Sequence, residues 1–137
     1  MSYLLDTNVL SELRSKRAAP GVVAWAIARP PQSMYLSVLT LGEIRKGIER
    51  ATDATFRQTL TDWLEVELPK RFVGRILPFD VEVADRWGRV LASAGRTLQV
   101  VDGQLAATAL QHDLTLVTRN VADFAGLNVP LVNPWDA

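Results

Sequence analysis

The run Tyr3-Leu4-Leu5-Asp6-Thr7-Asn8-Val9-Leu10-Ser11-Glu12-Leu13 decides the fold, because its character changes in the middle. Three successive apolar residues read as a short strand buried on both faces. Asp6, Thr7 and Asn8 are short, polar and suited to cap a helix. That helix is predicted to continue through Leu13. A buried strand passing to a helix through a carboxylate is the opening of an α/β unit. In such folds, ligands bind outside the carboxyl ends of the strands.

The pattern continues along the chain. Pro20 suits the first turn of a second helix, which carries Val23, Trp25 and Ile27 and ends before Pro30. Met34-Tyr35-Leu36 is a second strand. A helix over Val38–Arg50 follows, with Leu41, Ile44 and Ile48 on its core face. Phe56, Leu60, Trp63 and Leu64 mark an amphipathic helix predicted to end before Pro69. Arg75-Ile76-Leu77 is a strand stopped by Pro78. Ala84, Trp87 and Leu91 place a helix after Asp80, with Gly95 as its stop. Asp102 opens a helix through Leu105, Ala106, Ala109 and Leu110. Thr115-Leu116-Val117 is a strand, and Val129-Pro130-Leu131-Val132 a short edge strand. Strands alternating with helices predict an α/β sandwich, with a mainly parallel central sheet flanked by helices, as one domain over residues 1–137.

Composition narrows the chemistry. The chain has 137 residues, 48% hydrophobic and 22% charged, which suits one globular domain and argues against disorder. With Cys 0 there are no disulfides, thiolate metal sites or cysteine nucleophiles, and with His 1 there is no two-histidine acid–base pair. Any metal must be held mainly by oxygen, which favours Mg²⁺ or Mn²⁺. The formal net charge of +0 excludes a strongly basic, non-specific nucleic-acid clamp. No apolar run reaches membrane-spanning length. The first residues show no basic segment followed by an apolar one, so a secretory signal is not expected and a cytoplasmic location is.

Four acids fall near the predicted strand ends. Asp6 follows the first strand, Asp123 comes shortly after Thr115-Leu116-Val117, and Asp102 follows the apolar pair Val100-Val101. Glu43 sits inside an apolar helix, with Thr40 at i−3 and Gly47 at i+4. These small neighbours leave space for a ligand or another backbone. Gly47 costs roughly 1 kcal/mol against Ala in a helix interior, which predicts an offsetting packing benefit. Each acid also has a plainer reading: Asp6 and Asp102 as helix caps, Glu43 as an i,i+3 partner of Lys46, Asp123 as a turn residue. Convergence of all four would be strained by mutual repulsion, and a divalent cation would relieve it.

The four segments together resemble the motifs of the PIN-domain family. Leu4-Leu5-Asp6-Thr7-Asn8-Val9-Leu10 resembles the first and Ser37-Val38-Leu39-Thr40-Leu41-Gly42-Glu43-Ile44 the second. Asp102-Gly103-Gln104-Leu105-Ala106-Ala107-Thr108-Ala109 resembles the third. Leu116-Val117-Thr118-Arg119-Asn120-Val121-Ala122-Asp123-Phe124 resembles the last. Their order matches the family's. The length and the Thr-Leu-Gly-Glu-Ile-Arg stretch are similar to the VapC-type toxins, including the FitB-like branch, which are the nuclease halves of toxin–antitoxin pairs.

The resemblance implies a PIN-like three-layer sandwich and a Mg²⁺-dependent endoribonuclease, with Mn²⁺ as the alternative ion. It carries Asp6, Glu43, Asp102 and Asp123 over as the acidic quartet. Asp6 and Asp102 are the expected direct ligands, and Glu43 and Asp123 act through water or complete the shell. Thr118 is expected to orient Asp6. Asn8 and Asn120 are candidate supporting or substrate contacts, with turn and cap chemistry as their plainer reading. The reaction implied is in-line attack on an RNA phosphodiester by a water that the metal acidifies, leaving 5′-phosphate and 3′-hydroxyl ends. The resemblance suggests transfer RNA as the substrate, and nothing in the sequence selects a particular RNA. Asp102 is the only acid near the third motif, so the ligand supply for a second metal stays open. His112 is expected to be structural or exposed.

Arg14, Arg45, Lys46, Arg50 and Arg119 lie near the acidic motifs and are candidate phosphate contacts, with solvated surface charge as the plainer reading. The resemblance further implies a homodimer, and a small cognate antitoxin that binds beside the site in a larger hetero-oligomer. Trp63 and Phe72 are candidates for that interface. Two other functions fit an α/β chain with a strand-end Asp. One is a haloacid-dehalogenase-like phosphohydrolase, although Asn8 stands where that chemistry needs a second Asp. The other is a catalytically silent PIN-like or receiver-like binding module.

Overall fold

The computed structural model describes residues 1–137. From Tyr3–Leu5 (β1) the chain passes through Thr7–Arg14 (α1) and Pro20–Ile27 (α2) to Met34–Ser37 (β2). It continues through Val38–Arg50 (α3), Ala54–Asp62 (α4) and Leu68–Arg71 (α5) to Ile76–Leu77 (β3). Val81–Ser93 (α6) and Val100–Gln111 (α7) lead to Thr115–Val117 (β4), and a 3₁₀ turn at Val121–Phe124 precedes Leu131–Val132 (β5). The sheet runs β3-β2-β1-β4-β5 and every neighbouring pair is parallel.

Alternation along the strands divides the interior into two cores. Tyr3 and Leu5 of β1 join Val9, Leu10, Val22, Ile44 and Ile48 on the face covered by α1 to α5. Leu4, between them, joins Val83, Val90, Leu105, Ala106 and Phe124 beneath α6 and α7. Side chains on a strand point alternately to opposite faces, so one apolar tripeptide feeds both cores and makes three layers. In register, Leu5 lies beside Val117 of β4, and Ser37 at the end of β2 lies beside Leu77 of β3. From β1 the chain moves toward the β2 side, and from β4 it moves toward β5 on the other. The carboxyl ends of β1 and β4 therefore flank the point where connections diverge, the place where such sheets form a crevice.

Several local expectations are corrected. Pro69 does not end a helix. Trp63–Glu67 forms a π-type turn, in which the Leu68 N–H donates to the Trp63 carbonyl, and Pro69 enters the first turn of α5. Proline has no N–H to give and its ring crowds the carbonyl at i−4; the widened turn accommodates both. Buried Trp63, Leu64 and Leu68 hold this continuation in place, while Phe56 on α4 is exposed. On α6 the buried stripe is Val83 and Val90 with half-buried Trp87, while Ala84 and Leu91 are exposed. The two stripes share Trp87 and lie side by side around the helix, so the sequence pattern was rotated by about one residue. Asp102 does not cap α7. The helix begins at Val100 with Gln99 at the cap, and Asp102 lies in the first turn. Only Leu131 and Val132 of the last predicted strand are in the sheet.

Candidate active site

Asp6 stands at the carboxyl end of β1, and its backbone N–H still donates to Val117 O of β4 at 2.9 Å. It is also the N-cap of α1: its Oδ1 accepts from Thr7 N at 2.7 Å. The capping and functional readings of this residue are thus compatible, because one carboxylate oxygen does each job. Its Oδ2 accepts from the Thr118 hydroxyl at 2.8 Å and from Asn8 Nδ2 at 3.4 Å. Thr118 is fully buried at the carboxyl end of β4. Its oxygen also accepts from Asn120 N at 3.1 Å and from Asn8 Nδ2 at 3.4 Å. Asn8 Oδ1 accepts from Arg119 N at 3.3 Å, so Asn8 stitches the β1 and β4 exits together. Asn120 contributes its backbone; its side chain makes no hydrogen bond at the site.

Glu43 enters from α3, the helix after β2. Its Oε1 accepts from the Thr7 hydroxyl at 2.7 Å, and the same hydroxyl lies 3.1 Å from the hydroxyl of buried Thr40. Glu43 forms no ion pair with Lys46, so the plainer surface reading is set aside. Gly47 has open space where a Cβ would stand, so the packing benefit expected there is absent within the chain. The close approach occurs at Gly103 instead: a Cβ there would meet Trp87 Nε1 at 3.1 Å, which seats the first turn of α7 on α6. Asp102 occupies that turn. Asp123 lies exposed on the 3₁₀ turn after β4.

Two of the four acids, Asp6 and Asp102, are raised by their surroundings. Burial lifts the Asp6 carboxyl above its ordinary value of 3.8; Thr118 and Thr7 pull it back, and Glu43 and Asp123 push it up. Asp102 is also raised, first by burial, then by Asp123, Asp6 and Glu43, with Arg96 acting the other way. Yet no three of them stand within reach of a single ion as the side chains lie. The donor set still suits a hard divalent cation. Mg²⁺ commonly takes one or two carboxylates and keeps several waters, so it does not require a tight cage of protein ligands.

The basic residues are placed less uniformly. Arg45 is engaged with Glu65 at 2.5 Å and Glu49 at 3.9 Å. Arg14 lies over the rings of Trp63 and Phe56. Arg119 lies over Trp135, beside the Asn8 contact. Lys46 and Arg50 are exposed and form no ion pair. His112 is exposed at the end of α7, in a recess shared with Ser2 and Leu114 next to the amino ends of β1 and β4, opposite the acids. Sequence reasoning passed over three residues here: Thr7, whose hydroxyl donates to Glu43, Thr40, whose hydroxyl meets that of Thr7, and Arg96. The spacing of Thr40 from Glu43 was visible, but a threonine three residues before an acid on a helix reads equally well as filler.

A parallel five-stranded sheet in the order β3-β2-β1-β4-β5 with helices on both faces is an α/β sandwich, and the PIN-domain profile matches residues 3–127 of it. The chain belongs to the PIN-domain family. Toxin FitB of Neisseria gonorrhoeae is 38% identical over 135 residues, spanning 96% of this chain and 97% of that protein. VapC ribonuclease Y4jK of Sinorhizobium fredii is 33% identical over 136 residues, 97% of each chain. The crystal structure of FitAcB from Neisseria gonorrhoeae matches with a TM-score of 0.92 at 37% identity, over 98% of this chain and 99% of that one. A toxin-antitoxin complex from Klebsiella pneumoniae matches at 0.72 with 30% identity, over 97% and 98%. The chain is thus similar to VapC- and FitB-type toxins along nearly its whole length.

Proposed function

We propose that this chain is the toxin of a toxin–antitoxin pair and acts as a Mg²⁺-dependent endoribonuclease, with Mn²⁺ able to substitute. The observation that carries this reading is the hydrogen-bonded rim at the strand exits, where Thr118 and Thr7 N hold Asp6 and the Thr7 hydroxyl holds Glu43, with Asp6 and Asp102 raised first by burial and then by the neighbouring acids. Asp6 and Asp102 are the proposed direct ligands, with Glu43 and Asp123 completing the polar shell. When bound, the cation would polarise the phosphodiester and acidify water. Thr118 fixes the orientation of Asp6, and Thr7 does the same for Glu43. With His112 at the amino ends of the strands, away from the acids, proton transfer falls to carboxylates and water. Arg119, Lys46 and Arg50 are available to phosphate, whereas Arg45 must first leave its acidic partners. Transfer RNA is the first substrate to test.

The ribonuclease and toxin-antitoxin names of the relatives support the partner and the reaction class. A small cognate antitoxin is proposed to cover an apolar cavity of about 350 Å³ floored by Leu5, Leu10, Met34 and Phe72, beside a cleft lined by Trp63 and Arg14. Trp63 and Phe72 are themselves buried, so they present edges rather than exposed faces. Exposed Val81, Leu91 and Val100 offer apolar surface for the proposed homodimer or larger hetero-oligomer. No helix is long and apolar enough to cross a membrane. Family membership displaces the haloacid-dehalogenase alternative. The test is induced expression of the chain beside Asp6→Asn. Growth arrest with RNA loss is expected from the first and neither from the second. Equal toxicity would defeat the proposal, and RNA binding without cleavage under every divalent ion would favour a silent binding module.

A further inference from the structure

Arg96 lies on the loop between α6 and α7, next to Gly95, whose φ of 68° turns the chain. Its Nη2 donates to Asp123 O at 2.9 Å and to Ala125 O at 3.0 Å, and so bridges to a segment 27 and 29 residues further on. Both carbonyls lie at the end of the 3₁₀ turn Val121–Phe124, where backbone acceptors have no partner within the turn. The two hydrogens of one guanidinium nitrogen satisfy both. The rest of the turn is held by Asp123 N donating to Asn120 O at 3.0 Å and by the buried ring of Phe124. Arg96 takes no part in any ion pair, and its hydrogen bonds go to these two carbonyls.

We propose that Arg96 is a positioning residue that clamps the Asp123 turn to the loop entering α7, and thereby sets the separation of Asp123 from Asp102. The clamp acts on backbone, so the exposed Asp123 side chain inherits its place from a residue that never touches it. The proximity of Arg96 to Asp102 is consistent with this placement. This inference rests on the reading of Asp102 and Asp123 as members of one cation site.

A clamp and a mere local charge predict opposite signs. Removing a positive charge beside a cation site tightens cation binding; removing a clamp loosens it. Mn²⁺ binding to the full chain, followed by electron paramagnetic resonance, is measured for wild type, Arg96→Ala and Arg96→Lys, with hydrogen exchange of residues 120–127 alongside. The expected result is about tenfold weaker Mn²⁺ binding for Arg96→Ala, the range typical of residues that support metal ligands. Arg96→Lys keeps the charge but not the planar fork, so it should recover only part of the loss. Exchange should quicken at 120–127 and stay unchanged in the cores. Unchanged or tighter binding by Arg96→Ala overturns the proposal. If wild type itself binds no Mn²⁺, the cation reading fails. Exchange then decides Arg96 separately: faster exchange confined to 120–127 supports the clamp, and unchanged exchange overturns it.

Discussion

Replacing Thr118 by valine keeps the shape of a fully buried side chain and deletes its hydroxyl. Three contacts go with it: the 2.8 Å bond to Asp6 Oδ2, the 3.1 Å bond from Asn120 N and the 3.4 Å approach of Asn8 Nδ2. A hydrogen bond to a charged group contributes about 1.5–3 kcal/mol. Asn120 is exposed, so water replaces most of what its N–H loses. The expected destabilisation is therefore about 2–3 kcal/mol at pH 7. At about 2.1 cal/mol/K per residue, the unfolding entropy of this chain is about 0.3 kcal/mol/K, and Tm should fall by about 7–10 °C. Thr118→Ser retains the oxygen and should stay within about 1 kcal/mol of wild type. Because Thr118 holds the Asp6 carboxyl down against burial, the valine variant should push it further up. Its penalty should then shrink as acid protonates Asp6. Urea melts of the metal-free protein, combined with Asp6→Asn in a double-mutant cycle, should give a coupling of about 1.5–3 kcal/mol. A coupling near zero, or a serine variant as damaged as valine, would refute the reasoning.

Metal-free wild type should lose stability as pH rises from the ordinary carboxylate value of 3.8 through the raised values of Asp6 and Asp102, since the folded state binds those protons more tightly. Asp6→Asn should flatten that slope, and denaturant titrations between pH 4 and 8 would show it. Gly47→Ala, with open space around the new methyl, should stabilise α3 by up to about 1 kcal/mol. Gly103→Ala gains the same propensity but drives its methyl against Trp87, so it should be net destabilising and alter tryptophan fluorescence. Glu43→Gln keeps an acceptor for the Thr7 hydroxyl, so its melt should match wild type within about 1 kcal/mol while RNA cleavage is lost.

The strands were legible because parallel strands buried on both faces become short apolar runs with little else to be: Tyr3–Leu5 and Thr115–Val117 are found as read. The Val38–Arg50 helix was legible for a similar reason, since Ser37 caps it through Leu39 N and Ile44 and Ile48 fix its face. Periodicity failed where a local rule met tertiary packing. Pro69 signals a break, but the buried residues around it favour a π-type turn over a loop. On α6, apolar residues occupy two adjacent stripes, and only the neighbouring α7 selects Val83 and Val90. The candidate acids Asp6 and Asp123 stood out because they follow strands, and Glu43 because it interrupts an apolar helix; Asp102 follows no strand and lies in the first turn of α7. Their supports did not stand out. Thr7 meets Glu43 across 36 residues and Arg96 meets Asp123 across 27. Neither pairing leaves a period or a spacing in the chain.

Diffraction at the manganese absorption edge from crystals grown with Mn²⁺ bears most directly on the central claim. An anomalous peak bounded by Asp6 and Asp102, with Glu43 and Asp123 turned toward it and absent in Asp6→Asn crystals, is the predicted result. Saturating Mn²⁺ with no peak at this rim, or a peak elsewhere that survives Asp6→Asn, would contradict it.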